Sequence, residues 1–366
     1  MRYPQFLQDG GRIGFIAPSF GCTIEPYSTL FDNALDTFKE KGYETVQGPN
    51  CRACDGIGKS TTPERCGAEV NDFFTNDRSD IIISCGGGET MCEDLPYIDF
   101  EAIAESKPKW YIGYSDNTNL TFTLPTLCDT AAIYGPCASA FGQKTWHKSV
   151  GDAFDILTGR KLSVSNYDKW ELHDREIPEG EEPDPFEPWN LTEDFNMKVY
   201  VPEKDGVENP EAGAACDNGG LVSGNSAKFS GRLLGGCMDI LTILCGTEFD
   251  KVKEFNERYA GDGVIWFLEA CELTPLSIRR TLWQLDNAGW FKNAKGFLFG
   301  RPMMFDADGM GLDRYTAVTG ILGKYNVPIL MDLDIGHLAP QMPLISGAYA
   351  DVSAEGNSLN IDMKLI

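Results

Sequence analysis

Three histidines, His147, His173 and His337, bound any chemistry that needs an imidazole. His173 lies in an acidic, solvated stretch, and His147 follows Trp146 in a polar one. His337 differs, because Asp334-Ile-Gly336 precedes it and Leu338-Ala-Pro340 follows, just past an apolar run that reads as a strand. Strand ends of α/β sheets are where functional groups collect. Ser115 is the matching nucleophile candidate, in Gly113-Tyr-Ser115-Asp-Asn117 between a strand and a helix. Such a turn lifts a hydroxyl above the sheet and aims helix N–H groups at it, which suits an oxyanion. The same Ser-Asp-Asn also suits a plain helix cap, so both uses stand. Position 117 is Asn, so this is not the G-x-S-x-G elbow.

Glu269 ends the apolar run Gly263-Val-Ile-Trp-Phe-Leu268 and is predicted to be buried, so it needs a partner. That partner is either a histidine, held in its tautomer by the acid, or a structural Arg or Lys. Glu272, three residues on, reads as more exposed. Gly86-Gly87-Gly88-Glu89 directly follows a strand, where glycines permit a tight turn or a close approach of backbone N–H to a ligand. Gly56-Ile-Gly-Lys59-Ser60 fails as a phosphate loop, because the pattern needs Gly at 53 and finds Ala53. Cys51-Arg-Ala-Cys54 is the only C-x-x-C among twelve cysteines and lacks a second pair at zinc spacing. Most of the others lie in apolar or glycine-rich surroundings and read as buried free thiols.

The elements that position these residues alternate. Strands are predicted at 12–18, 43–47, 80–84 and 110–113, with helices at 27–41, 64–74 and 117–128. Strand–helix alternation implies a parallel sheet with crossover helices. From Glu171 to Glu208 the chain turns acidic and proline-broken, with acids from Glu171 through Glu208 and only Arg175, Lys198 and Lys204 as bases. This reads as an exposed connector, although Trp170 and Trp189 are out of keeping with it. Each either packs back on the domain or forms an aromatic platform near a ligand. A second α/β unit follows, with a helix from Met238, a strand ending at Glu269, a helix over 277–288, and strands at 296–300 and 329–333. The expected division is therefore 1–160, a connector at 161–225, and 226–366.

Thirty-one Lys and Arg against 55 Asp and Glu give a net charge of −24. That excess repels nucleic acid and anionic membrane alike. No apolar stretch reaches membrane-spanning length, and the N-terminus has no secretory apolar core, so a cytoplasmic protein is expected.

Ile16-Ala-Pro18-Ser19, Gly87-Gly88 before Leu95-Pro96-Tyr-Ile-Asp99, Gly113-Tyr-Ser115-Asp116-Asn-Thr118, Leu234-Gly235-Gly236, Leu268-Glu269 and Gly336-His337-x-x-Pro340 stand in one order. Together they resemble the LD-carboxypeptidase family of serine peptidases, which includes the microcin-immunity peptidases. The resemblance implies a triad of Ser115, Glu269 and His337. It implies an oxyanion hole from the backbone of Gly87, Gly88 and Asp116. It also implies an N-terminal parallel-sheet α/β domain, a smaller C-terminal α/β domain, an active site at their junction, and a homodimer. No metal or organic cofactor is implied. The implied substrate is a murein tetrapeptide or a peptidyl or aminoacyl nucleotide, and for the latter Trp189 is the candidate adenine platform. Leu338 and Ile345 depart from the family's usual pattern beside the histidine. A silent binding protein on the same scaffold, or a generic α/β-hydrolase, are the competing readings.

Overall fold

The computed structural model describes residues 1–56, 58–177, 180, 182–203 and 220–366. Ile57, and Pro178, Glu179, Glu181, Lys204, Asp205 and Glu208 of the acidic stretch, lie outside the described residues.

Ile81–Ser84 and Trp110–Gly113 are buried at every position, the mark of strands covered on both faces. They sit at the centre of a six-stranded sheet. Its order is Leu344–Ser346, Ala132–Tyr134, Trp110–Gly113, Ile81–Ser84, Arg12–Ile16, Glu44–Gln47. All neighbours are parallel except Leu344–Ser346, which returns from the C-terminal part and pairs antiparallel with Ala132–Tyr134. The crossover helices present apolar residues at three- and four-residue spacing. Phe31, Ala34 and Phe38 of Tyr27–Glu40 are buried, as are Val70, Phe73 and Phe74 of Pro63–Thr75.

The second sheet has nine strands, three of them from residues before 226. Four parallel strands form its middle, in the order Ile329–Leu333, Ala294–Gly300, Val264–Glu269, Ser226–Cys237. Lys198–Pro202 and Leu221–Gly224 extend one edge antiparallel. Tyr349–Glu355, Ser358–Lys364 and Ser163–Ser165 extend the other. The stretch read as an exposed connector therefore supplies three strands to this sheet. Val199 and Val164 are buried within them, whereas the described acids between Glu171 and Asp194 stay largely at the surface.

The carboxyl ends of the parallel strands in both sheets meet. There, the Cys237 N–H donates to Thr118 Oγ1 at 3.0 Å. Deeper down, Phe122 stacks on Trp290, which stacks on Trp266, with ring centroids 5.1 and 5.7 Å apart. Burying rings of this size contributes roughly 1.5–3 kcal/mol each, so the two halves are joined by a shared core. Among the described residues no helix is long and apolar enough to cross a membrane.

Candidate active site

The strand Trp110–Gly113 ends in a turn that places Ser115 at φ 63°, a left-handed conformation few non-glycine residues adopt. Holding it costs of order 1–3 kcal/mol. Asn117 offsets that cost, because its Nδ2 donates to Gly86 O at 2.9 Å and Tyr114 O at 3.0 Å, and its Oδ1 accepts from Tyr111 Oη. Asn117 makes no side-chain cap to the following helix Thr118–Thr121. Its amide braces the turn instead, so the capping use of this segment is not the one the fold realises.

Asp116 turns inward and is 1% exposed. Its Oδ2 accepts from Ser19 Oγ at 2.5 Å and from the Met91 N–H at 3.0 Å, and its Oδ1 accepts from Asn119 Nδ2 at 3.1 Å. Burial lifts this carboxyl to about 6 against the pull of those bonds. The carboxylate thereby ties the 86–91 loop to the nucleophile turn. A side chain at Gly87 would begin 3.2 Å from Ser115 Oγ, a tight contact that the serine side chain would have to yield to. The backbone at 87 and at 116 consequently flanks Ser115. Gly88 is walled in by the Gly58 carbonyl and the Ser19 hydroxyl and has no room for a side chain.

Glu269 ends the strand Val264–Glu269 and is 1% exposed. Both of its oxygens are engaged. Oε2 takes His337 Nδ1 at 2.9 Å, and Oε1 accepts from Tyr134 Oη at 2.5 Å. The same Tyr134 hydroxyl accepts the Ser115 N–H at 3.3 Å. One hydrogen-bonded path thus runs from the serine backbone through Tyr134 and Glu269 to His337. Gly336, at φ 111°, admits the carboxylate, since a side chain there would start 2.6 Å from Oε2. The Tyr114 ring packs on the His337 ring at 5.1 Å, so the residue before the serine seats the imidazole. His337 Nε2 is buried and has no hydrogen-bond partner among the described residues.

The electrostatics follow from this packing. Burial alone would raise the Glu269 carboxyl. The His337 charge and the bonds from His337, Tyr134 and Cys237 outweigh it and hold the group below the usual carboxylate range. Burial alone would depress His337. The Glu269 charge and the Cys271 thiol beside the ring outweigh it, and His337 titrates well above an ordinary imidazole.

The other expected residues go elsewhere. His147 Nδ1 accepts the Ser149 N–H at 3.1 Å and caps the helix Lys148–Thr158. Trp189 is half-buried against the core, its ring 5.4 Å from His147. His173 and Glu272 are exposed. Cys51 is buried and Cys54 exposed, and both are free thiols. Sequence reasoning missed Tyr134. Its only signal is the end of a short apolar run, and the register that places it beside Gly113 is a property of the sheet.

Comparisons with known proteins cover both halves. The LD-carboxypeptidase N-terminal domain matches residues 13–135, and the LD-carboxypeptidase C-terminal domain matches 230–352. The microcin C7 self-immunity protein MccF of Escherichia coli is 26% identical, over 97% of this chain and 94% of that protein. The probable murein peptide carboxypeptidase of Bacillus subtilis is 25% identical, over 95% of this chain and 90% of that one. A solved structure of MccF in complex with aspartyl sulfamoyl adenosine superposes with a TM-score of 0.74 at 22% identity, covering 99% of this chain and 98% of the other.

Proposed function

The chain belongs to the LD-carboxypeptidase family, and from that premise we propose that it is a serine amidase whose Ser115 attacks the carbonyl of a small peptide-like substrate. The observation that carries this reading is the buried Glu269–His337 contact at 2.9 Å with the far ring nitrogen left open. His337 Nε2 takes the Ser115 proton as the hydroxyl adds to the amide carbon. Glu269 holds the ring in the tautomer with Nδ1 protonated and stabilises the imidazolium that forms. Backbone N–H groups at Gly87, Gly88 and Asp116 receive the oxyanion, each donor worth about 2.7–4 kcal/mol of barrier. His337 then protonates the leaving amine, and water, deprotonated by the same ring, releases the acyl group. No step calls for a metal or organic cofactor.

The substrate is a small amide, cleaved in the cytoplasm by a homodimer. Two versions share this chemistry. One is the L,D-bond of a murein tetrapeptide, a reading supported by the B. subtilis relative named as a probable murein peptide carboxypeptidase. The other is an aminoacyl or peptidyl nucleotide, favoured by the likeness to MccF across nearly the whole chain and by that protein's sulfamoyl adenosine complex. Mass spectrometry on each substrate separately tests the assignment, with Ser115→Ala as control. Cleavage of either by the wild type and of neither by Ser115→Ala is the expected result. Full turnover by Ser115→Ala overturns the mechanism. Folded wild-type protein that cleaves neither points to the silent-scaffold reading.

A further inference from the structure

Three metal-ligating side chains meet beside the Glu269–His337 pair. Cys271 stands two residues past Glu269, and its thiol lies beside the His337 ring. Its Sγ is also 3.7 Å from Met303 Sδ. Metal–sulfur bonds run about 2.3 Å, so two sulfurs on one tetrahedral ion stand roughly 3.7 Å apart. The thiol and the thioether therefore hold the spacing of a shared ion without moving. The third donor is His337 Nε2, buried and without a hydrogen-bond partner among the described residues.

The backbone fixes these donors in place. Asp239 Oδ2 accepts the Cys271 N–H at 3.1 Å, and its Oδ1 accepts the Glu272 N–H at 3.0 Å. The Met303 N–H donates to Ala270 O at 3.1 Å, which docks the Met303 loop against the segment that carries Cys271. Glu269 holds His337 Nδ1 at 2.9 Å and so leaves the lone pair on Nε2. A carboxylate on the far nitrogen is the common outer support of a metal-binding histidine. Entry is open, because Cys271 is half-buried and Met303 is 42% exposed. The surroundings are negative. Burial first, then the Glu272 and Asp239 charges, lift the Glu89 carboxyl, and His337 pulls it the other way.

The donor set selects the ion. Among the described residues no three His, Cys, Asp or Glu side chains are grouped to hold a metal, so a thioether must complete this set. Thiolate and thioether together favour copper(I), whereas zinc takes thiolate, imidazole and carboxylate.

We propose that Cys271, Met303 and His337 form an inhibitory copper(I) site. The ion binds the Cys271 thiolate, the Met303 thioether and Nε2 of neutral His337, and the thiol proton leaves to solvent. With the ion in place, Nε2 no longer takes the Ser115 proton. The inhibition rests on the serine mechanism proposed above, whereas the binding does not, so the two fail separately.

Anaerobic titration of copper(I) against bathocuproine disulfonate reads the binding, with Cys54→Ser protein throughout to remove the exposed free thiol. One equivalent is expected to be held that added Cys271→Ser abolishes. Met303→Leu is expected to weaken it at least about tenfold, the scale on which even outer partners of a metal act. That variant should leave fluorophosphonate labelling of copper-free protein unchanged, and it carries the test if Cys271→Ser does not fold. Of the three imidazoles in the chain, only His337 is expected to shift its nitrogen NMR signals on loading. Copper is also expected to slow fluorophosphonate labelling of Ser115 by about a hundredfold or more, the scale of a lost general base. No equivalent lost in folded Cys271→Ser, unchanged affinity in Met303→Leu, or an unshifted His337 signal overturns the site. Displacement of the ion by equimolar zinc(II) overturns its identity. Undiminished labelling of loaded protein overturns the inhibition, and absent labelling of copper-free protein overturns the serine mechanism while the site stands.

Discussion

Two buried acid–base pairs sit at neighbouring strand ends of one sheet, Glu269 with His337 and Asp334 with Arg301. Each leaves one nitrogen without a hydrogen-bond partner among the described residues, His337 Nε2 in the first and Arg301 Nε in the second. Their geometry is alike, and their chemistry is not. An imidazole gives and takes a proton near neutrality, whereas a guanidinium stays charged throughout. The first pair therefore has the chemistry the proposed mechanism asks of it, while the second can only hold a shape or a ligand. What separates two such buried pairs is the identity of the base.

Replacements at the first pair, or of the serine it is proposed to activate, should cost activity more than stability. Ser115→Ala should lower turnover by roughly 10⁴-fold or more with an unchanged far-ultraviolet spectrum. Glu269→Gln should lower kcat about 10³–10⁴-fold, because the amide no longer fixes the tautomer of His337 or stabilises its charged form. The same variant sharpens the comparison through pH. His337 acts as a base only when neutral, and Glu269 raises its pKa. Wild-type kcat/KM should accordingly climb with pH above neutrality, and the limb should move to lower pH in Glu269→Gln. A limb that stays in place would separate the pH dependence from this pair.

The second pair should behave the opposite way. Arg301→Met leaves Asp334 buried and unpaired, which costs about 3–5 kcal/mol, read as a fall in Tm. Burial already raises the Asp334 carboxyl, and removing Arg301 raises it further. The folded variant then binds a proton that the unfolded chain does not hold until lower pH. The deficit should shrink as pH falls toward 5. A smaller effect is expected at Tyr134→Phe, which removes one hydrogen bond to Glu269 and one acceptor for the Ser115 N–H. A bond to a charged group contributes about 1.5–3 kcal/mol, so kcat should fall roughly ten- to a hundredfold.

The catalytic candidates were legible because each announces itself locally. Ser115 follows a glycine-ended strand, Glu269 is a lone acid closing an apolar run, and His337 follows a glycine past another strand. The alternation of strand and helix over residues 12–128 was legible for the same reason. Long-range pairing was not. Nothing within Leu344–Ser346 says that it completes the first sheet, or within Ser163–Ser165 that it edges the second. One signal was present and went unused. Ala350, Val352 and Ala354, then Leu359, Ile361 and Met363, alternate around Gly356-Asn357 and form the buried face of a hairpin. Charge misled in the middle of the chain, where surface acids hid the strand Lys198–Pro202. Trp170 was visible as an aromatic residue out of place, but Arg301 and Phe305 reach it only through the fold.

The central claim is that Ser115 is the nucleophile activated by the Glu269–His337 pair. Fluorophosphonate labelling followed by peptide mass spectrometry tests it without a known substrate. The account predicts a single phosphonyl adduct on Ser115, formed much more slowly in His337→Ala and absent in Ser115→Ala. An adduct on another residue, or none on folded wild-type protein, would contradict it.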